Sequence, residues 1–418
     1  MSEVRTEESK VARLVRSASF LARIYQNQCH THYYRMVADY YTHISQAPQK
    51  GDFVVAHTMF IPVEILYAMS LRPLHLEYTG YMLSLFTGSC NDMLDRAGEM
   101  GFAPEICSSH RLIAGVLDAG VFPAAGAVVC SNLQCDNAIK SGELTMEFNH
   151  CPGFYFDYPY NQSEGNQEFI LREIKEMIAF LEDVSGHKLD WDKLATSINE
   201  MKKQHKLVRQ IMGLCQKRPS PFQPQDFLKF LAVDYMFAGE AALTRYLEAF
   251  YQELSGLAAQ GKGFAEPERF RLMGLMIPPW HFQREIDRVL QQHGAALVCY
   301  PNLCEWDEDL PLDPGRPLES VALKWARSPA MRMFGPLDQR ALGPIRDSVA
   351  RYKIDGALNF THLGCRQMGP ANRLFKDVLD EQDVPILGID CDLVDRNVTS
   401  EDEVRAKLEQ FFELLEDR

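Results

Sequence analysis

Three cysteines, Cys107, Cys135 and Cys365, have the sequence surroundings that suit a metal-binding thiolate. Each is predicted to lie at a strand-to-helix turn, and the helices that follow include residues 112–117 and 374–379. A helix N-terminus carries a partial positive charge, which favours the thiolate form that binds metals. The sequence therefore predicts that the three thiols converge on one cleft. The alternative for each cysteine is a small buried hydrophobe in the core.

Thiolates are soft ligands, so the candidate cofactors are zinc and an iron–sulfur cluster. Structural zinc sites usually contain Cys-x-x-Cys pairs, and none of the 11 cysteines forms such a pair. Widely separated thiolates suit a larger iron–sulfur cluster. Three cysteines on four irons leave one iron open, which can act as a Lewis acid on a substrate oxygen. A non-catalytic α/β protein with a structural zinc ion is the alternative from another functional class.

The stretch from Gly256 to Gly263 comes close to a nucleotide-binding P-loop but lacks two of its requirements. Gly263 replaces the Ser or Thr that would bind magnesium, and a predicted helix precedes the stretch where a strand is needed. No Gly-x-Gly-x-x-Gly loop follows a predicted strand, and a Gly-x-Ser-x-Gly turn is absent from the sequence. We therefore predict that this stretch is a helix end and linker and does not bind a nucleotide.

The hydrophobic pattern predicts that an α/β fold positions these cysteines. Short apolar runs alternate with helical stretches in both halves of the chain, which is typical of parallel β-α-β units. From about residue 167 to 257 the period is helical, as it is from residue 11 to 25. The predicted strands are residues 53–56, 127–129, 154–156, 272–277, 295–299, 356–360 and 384–389.

These patterns divide the chain into an N-terminal helical segment, a first α/β domain, a helical insert and a second α/β domain. The predicted bounds are 1–50, 51–165, 166–265 and 266–418. Two similar blocks hint at an internal duplication. Cys130 and Cys135 follow one apolar strand, Cys299 and Cys304 follow another, and an acidic residue comes directly after each block.

Charge and hydropathy exclude several classes of partner. The 418 residues include 43 Lys+Arg and 57 Asp+Glu, and the formal net charge of −14 repels the backbone of nucleic acids. The N-terminus is charged and lacks the apolar core of a signal peptide. The longest nearly uncharged apolar stretch, residues 120–130, is far below the ~20 residues that span a bilayer. We therefore expect a cytoplasmic protein with reduced thiols and no membrane partner.

Six short blocks from about residue 53 onwards carry a resemblance to a known family. They are Pro62-Val63-Glu64, Cys107-Ser108 with Arg111, Cys135-Asp136, Gly364-Cys365-Arg366-Gln367, Val384-Pro385-Ile386-Leu387, and Asp390-Cys391-Asp392 with Asp395. In order and spacing, these blocks resemble the activator-dependent 2-hydroxyacyl-CoA dehydratases and benzoyl-CoA reductases.

This resemblance implies two Rossmann-like α/β domains that hold a [4Fe–4S] cluster between them through Cys107, Cys135 and Cys365. It also implies that a separate ATP-hydrolysing iron–sulfur activator injects one low-potential electron. The cluster would pass the electron to the carbonyl of an acyl-CoA thioester. The resulting ketyl radical would expel a leaving group, as in dehydration, or begin the reduction of an aromatic ring. The active assembly would pair two subunits, identical or homologous.

The sequence has more cysteines than a three-ligand cluster needs, which leaves a second interpretation open. Cys130, Cys151, Cys299 and Cys304 are the surplus residues near the predicted cleft, and Cys130 and Cys304 are the candidate extra ligands. The sequence also resembles the double-cubane cluster proteins, homodimers in which six cysteines bind a larger [8Fe–9S] cluster that reduces small molecules. The alternative for the surplus cysteines is packing in the core.

Glu64, His110 and His362 are the candidate acid/base residues around the cluster. His110 and Arg111 follow Cys107, and His362 and Arg366 flank Cys365, so their side chains could donate to cluster sulfurs or to a CoA phosphate. Histidine suits proton transfer because its ordinary pKa is ~6.5. The alternatives are a helix N-terminal charge for Glu64, core positions for the histidines, and surface positions for the arginines.

Overall fold

The computed structural model describes residues 3–87, 90–133, 135–161, 165–304, 306, 309–367 and 369–418. It contains two four-stranded parallel sheets, with strand orders β2-β1-β3-β4 and β6-β5-β7-β8. In chain order the strands are β1 (Val54–His57), β2 (Arg72–His75), β3 (Ala127–Ser131), β4 (Gly153–Phe156), β5 (Phe270–Leu275), β6 (Ala295–Cys299), β7 (Gly356–His362) and β8 (Ile386–Cys391). The predicted α/β fold with two Rossmann-like domains is confirmed.

Helices cover the sheets and fill the segments before and between them. In chain order they are α1 (Glu3–Ile24), α2 (Gln28–Lys50), α3 (Val63–Ala68), α4 (Leu76–Thr87), α5 (Asn91–Glu99), α6 (Ser108–Asp118), α7 (Asp136–Asn149), α8 (Asn166–Ser185), α9 (Trp191–Cys215), α10 (Pro224–Phe237), α11 (Ala241–Ala259), α12 (Gln283–Gln292), α13 (Pro301–Cys304), α14 (Pro317–Ala326), α15 (Pro329–Phe334), α16 (Gln339–Tyr352), α17 (Asn372–Asp380) and α18 (Glu401–Glu416).

All seven strands predicted from apolar runs are present, but the sequence analysis missed β2. Its residues, Arg72-Pro73-Leu74-His75, include no β-branched side chain, and a proline cannot donate to a ladder. The strand is tolerated because β2 lies at the edge of the first sheet. Because β2 runs parallel to β1 and β3, the carboxyl ends of all three strands lie at the same end of the sheet.

The same strand order in both sheets supports a repeated architecture, but it corrects the hint drawn from the cysteine blocks. Cys130 lies in the inner strand β3, whereas Cys299 ends the edge strand β6. The two blocks therefore do not occupy equivalent positions, and that part of the prediction is wrong. The equivalent residues are Cys135 and Cys365, which follow the inner strands β3 and β7.

The helical regions join the two sheets into one structure. Helix α2 packs on α1 and α11, and the second-half helix α14 packs on α8 and α9. Trp325 of α14 lies in the core beneath the first sheet, where its ring centroid is 5.6 Å from that of Tyr158. The second half thus contributes to the core of the first, and the predicted domain bounds stay predictions. Within the described residues, no helix is long and apolar enough to cross a membrane.

Candidate functional site

A cavity of about 90 Å³ lies beyond the carboxyl ends of the strands of both sheets, where open α/β sheets bind ligands. Cys107, Cys135 and Cys365 all line this cavity. The other lining side chains are mainly aromatic and aliphatic, with histidines among them. The lining residues that follow strand ends include Met59 and Phe60 after β1, Met276 and Ile277 after β5, and Leu393 after β8.

Cys107 directly precedes α6, as predicted, but the element before it is not a strand. Its carbonyl oxygen accepts from the backbone N–H groups of His110, at 3.0 Å, and Arg111, at 3.1 Å. Helix α5 and a loop precede it, because Met93, Leu94 and Ala97 give residues 91–99 a buried helical face. The prediction of a strand-to-helix turn is therefore wrong for Cys107.

The loop that carries Cys365 lies against the backbone of Cys107. A Cβ atom on Gly364 would be 2.5 Å from the Cα atom of Cys107 and 2.6 Å from its nitrogen, so only glycine fits. This contact brings a residue of the second sheet's loops next to one from the first half. Helix α17 begins only at Asn372, so the predicted helix N-terminus at Cys365 is wrong.

Cys135 is the residue before α7, and a histidine lies beside its thiol. The Nε2 atom of His110 is 3.8 Å from the Sγ atom of Cys135, and its Nδ1 atom is 2.8 Å from the Oγ atom of Ser141. Helix α6 carries His110, and α7, which begins directly after Cys135, carries Ser141. The packing of these two helices therefore fixes the imidazole against the thiol.

The thiols influence one another's protonation, as expected for sulfur atoms that share one cavity. Burial raises the pKa of Cys107 well above its ordinary value, and the nearby charges of Asp392, Cys135 and Cys365 raise it further. Burial also raises the pKa of Cys135 to about 12, and the charge of Cys365 adds to the effect. A bound metal centre would remove this repulsion and deprotonate the thiols. Three soft thiol donors on one cavity are of the kind that a thiolate-bound metal cluster requires.

The two predicted histidines line the cavity, where burial disfavours their charged forms. Burial lowers the pKa of His110 to about 4 and also lowers that of His362. His362 donates through Nε2 to the carbonyl oxygen of Ile277, at 2.5 Å, and its Nδ1 atom lies 3.6 Å from the Sγ atom of Cys391. Both ring nitrogens of His362 thus have partners within the second domain.

Two contacts attach helix α6, directly after Cys107, to the loop that follows β8. The buried hydroxyl of Ser108 donates to the carboxylate of Asp392, which also accepts from the backbone N–H groups of Val394 and Asp395 at 2.9 Å. The guanidinium of Arg111 donates to Asp395 at 3.1 Å. These residues hold Cys107 against the second domain, and Arg111 is engaged in this contact.

Glu64 and Cys130 lie outside the cavity. Glu64 is fully buried, and Lys324 Nζ lies 3.8 Å from its Oε1 atom. Burial raises the pKa of Glu64, although the charge of Lys324 opposes this shift. The thiol of Cys130 packs against Gly142 of α7, where a Cβ atom would be 2.8 Å from the sulfur. The side chain of Cys304 lies outside the described part of the chain.

The sequence analysis missed a buried group formed by His57, His75 and Glu77 at the ends of β1 and β2. The rings of His57 and His75 are 4.9 Å apart, and His75 Nδ1 lies 3.6 Å from Glu77 Oε2. Burial raises the pKa of Glu77 to about 7. His75 lines the cavity, with Glu77 behind it. Recognition of β2 would have found this group, since His57 and His75 are the last residues of β1 and β2 and Glu77 follows β2.

Comparisons with known proteins identify the family of this chain. The family model described as "2-hydroxyglutaryl-CoA dehydratase, D-component" matches residues 58–415. The chain belongs to this family. The matched range includes the three cavity cysteines together with Asp392 and Asp395, so the resemblance inferred from the sequence is confirmed. The chain is accordingly an enzyme subunit of the dehydratase and reductase type.

Three relatives of the family are similar at low identity. A benzoyl-CoA reductase subunit of Thauera aromatica is 23% identical, over 92% of this chain and 93% of that protein. The (R)-phenyllactyl-CoA dehydratase alpha subunit of Clostridium sporogenes is 22% identical, over 60% of this chain and 64% of that protein. The alpha subunit of (R)-2-hydroxyglutaryl-CoA dehydratase from Acidaminococcus fermentans is 22% identical, over 65% of this chain and 57% of that protein.

Proposed function

We propose that this chain is the cluster-bearing subunit of an ATP-dependent one-electron reductase of acyl-CoA thioesters. The reaction would be dehydration of a 2-hydroxyacyl-CoA or reduction of the benzoyl-CoA type. The observation that carries the proposal is that Cys107, Cys135 and Cys365 line one cavity, in a chain of this family. The names of its relatives, a reductase subunit and two dehydratase alpha subunits, support the same reaction classes.

The residues of the cavity have distinct roles in this proposal. Cys107, Cys135 and Cys365 would hold a [4Fe–4S] cluster, which supplies single electrons and an open iron for the thioester carbonyl. With its proton on Nε2, His110 would donate to the thiolate of Cys135 and fix its orientation. The apolar walls keep water from the reacting carbonyl. Arg366 is exposed at the cavity, where its guanidinium can meet the phosphates of CoA.

The energy for this reaction would come from outside the chain. The stretch 256–263 lacks the features of a P-loop, so the proposed electron donor is a separate ATP-hydrolysing iron–sulfur activator. A second subunit, identical or homologous, would complete the assembly, and the subunit names of the relatives support such a partner. Reduced thiols and an oxygen-sensitive cluster suit the cytoplasm.

Iron and acid-labile sulfide, measured on protein purified without oxygen, test the proposal. We expect about four irons and an equal amount of sulfide per chain. Cys365→Ser should lose most of the iron, because it removes one thiolate from the cavity. Cys215→Ser is the matched control, since Cys215 is buried in α9 and its thiol lies 3.4 Å from the Ile211 carbonyl oxygen. Unchanged iron in Cys365→Ser would contradict the proposal.

The same assay separates the two alternatives. Stoichiometric zinc without sulfide would favour the structural-zinc protein. A double-cubane centre needs further thiol ligands, so Cys130→Ser would then lose iron as well. We expect Cys130→Ser to keep its iron, because its sulfur packs against Gly142 and lies 3.9 Å from the carbonyl oxygen of Phe154.

A further inference from the structure

We propose that the cavity selects an uncharged acyl group and favours an aromatic ring over a chain that ends in a carboxylate. The inference rests on the proposed function, because it takes an acyl-CoA thioester as the ligand. It adds the chemical class of the acyl group, which the cavity walls define.

Aromatic side chains form two groups in these walls. In one group the rings of Tyr81 and Trp280 are stacked, with centroids 6.2 Å apart and planes at 21°. In the other, the ring of Phe60 is 4.9 Å from that of Tyr235 and 5.2 Å from that of Phe334. All five residues line the cavity. Such walls present ring faces and edges against which another aromatic ring can pack.

Three methionines also belong to the wall. Met59, Met276 and Met333 line the same cavity, and Met333 is only 2% exposed. Thioether side chains are flexible and make favourable contacts with aromatic rings. A bulky apolar group can therefore be enclosed without a polar partner.

Charge is almost absent from the lining. Among the lining residues that the structure describes, Arg366 is the one with a permanent charge, and its side chain is exposed. Among the lining histidines, burial lowers the pKa of His75 well below its ordinary value. A carboxylate at the far end of the acyl group would therefore lose its hydration without gaining a buried cation.

Binding to the wild-type protein decides the proposal directly. Titration calorimetry on anaerobically purified, oxidised protein would compare benzoyl-CoA with glutaryl-CoA, and free CoA would report the contribution of the nucleotide part. Without a reductant neither thioester turns over. We expect benzoyl-CoA to bind at least about tenfold more tightly than glutaryl-CoA and than free CoA. Equal or tighter binding of glutaryl-CoA would overturn the proposal, as would a benzoyl-CoA that binds no better than CoA.

A variant that adds a cation to the cavity wall tests whether the lack of a buried cation causes the preference for benzoyl-CoA. Met333→Lys should reduce the preference for benzoyl-CoA over glutaryl-CoA at least about tenfold, because the ammonium can pair with the distal carboxylate. Leu374→Lys adds the same charge on the partly exposed face of α17, outside the cavity lining, and should keep the ratio. A ratio unchanged in Met333→Lys would contradict the proposed cause.

Buried lysines can prevent folding, so circular dichroism of each variant comes first. If Met333→Lys is unfolded, Gln367→Lys places the ammonium at a half-buried lining position and carries the same expectation. Iron and sulfide content, measured on the same preparations, report the proposed function separately. Protein with iron and sulfide but no preference for benzoyl-CoA would refute the acyl-group inference alone, whereas protein without them would refute the proposed function.

Discussion

His110 and His362 both line the cavity, but their ring nitrogens have different neighbours. The nitrogens of His362 lie near the Ile277 carbonyl oxygen and the Cys391 thiol. The Nε2 atom of His110 instead faces the Cys135 thiol, while Ser141 contacts its other nitrogen. Of the two histidines predicted from the sequence, His110 is thus the one positioned to act on a predicted cluster ligand. Their catalytic roles stay predictions, as does that of Glu64.

Glu77→Gln should change how the stability of the protein depends on pH. Burial raises the pKa of Glu77 from its ordinary 4.5 to about 7. Between these two pH values the folded chain keeps the proton of Glu77, whereas the unfolded chain releases it. The stability that Glu77 provides is full below pH 4.5 and is lost as pH rises to about 7. The free energy of unfolding of Glu77→Gln should therefore exceed that of the wild type by about 3 kcal/mol at pH 8, and by little at pH 4.5.

Urea unfolding from pH 4.5 to 8 in reducing buffer measures this difference. Glu99→Gln, at an exposed position at the end of α5, is the control and should show a constant difference from the wild type. If the curves of Glu77→Gln and wild type stay parallel, Glu77 is ionised in the folded protein throughout.

Among the elements of the fold, the sequence predicts those that a local residue pattern encodes. Apolar runs identified β1, β3, β4 and all strands of the second sheet, because a strand buried on both faces needs little beyond such a run. Strand β2 lacks this pattern, so the residues at its end, His75 and Glu77, were missed with it. The prediction of a strand before Cys107 was wrong because helix α5 precedes this residue. That Glu64 faces Lys324 depends on contacts between distant segments, which no local pattern encodes.

Gly364→Ala should separate the two elements that carry Cys107 and Cys365. The new Cβ atom would meet backbone atoms of Cys107 at 2.5 and 2.6 Å, and backbone cannot move aside as a flexible side chain can. Overpacking of this kind costs about 2 kcal/mol. We expect a lower free energy of unfolding by about that amount and a lower iron content after anaerobic purification.

Gly256→Ala is the matched control for this change. Gly256 lies within α11, and a Cβ atom there would meet nothing within 4 Å. Alanine should stabilise that helix by about 0.5–1 kcal/mol and leave the iron content unchanged. Wild-type stability and iron content in Gly364→Ala would show that the loop can shift without loss of the site.

For the whole molecule, the site depends on both halves of the chain. Cys107 and Cys135 come from the first half and Cys365 from the second, and Ser108 and Arg111 attach the first half to Asp392 and Asp395. A metal centre bound by all three cysteines would link the two domains, so its free energy of binding would add to the stability of the folded chain.

If the proposed metal centre is bound, its removal should therefore weaken the contact between the domains as well as the site. We expect an anaerobic chelator to lower Tm by about 5 °C, which corresponds to a few kcal/mol of linked binding energy in a large chain. Hydrogen exchange should rise in residues 107–111 and 362–367, and less in the core strand β3. The variant with Cys107, Cys135 and Cys365 all changed to Ser should show neither effect. If the wild type kept its Tm and exchange rates after complete metal removal, the metal would not link the two domains.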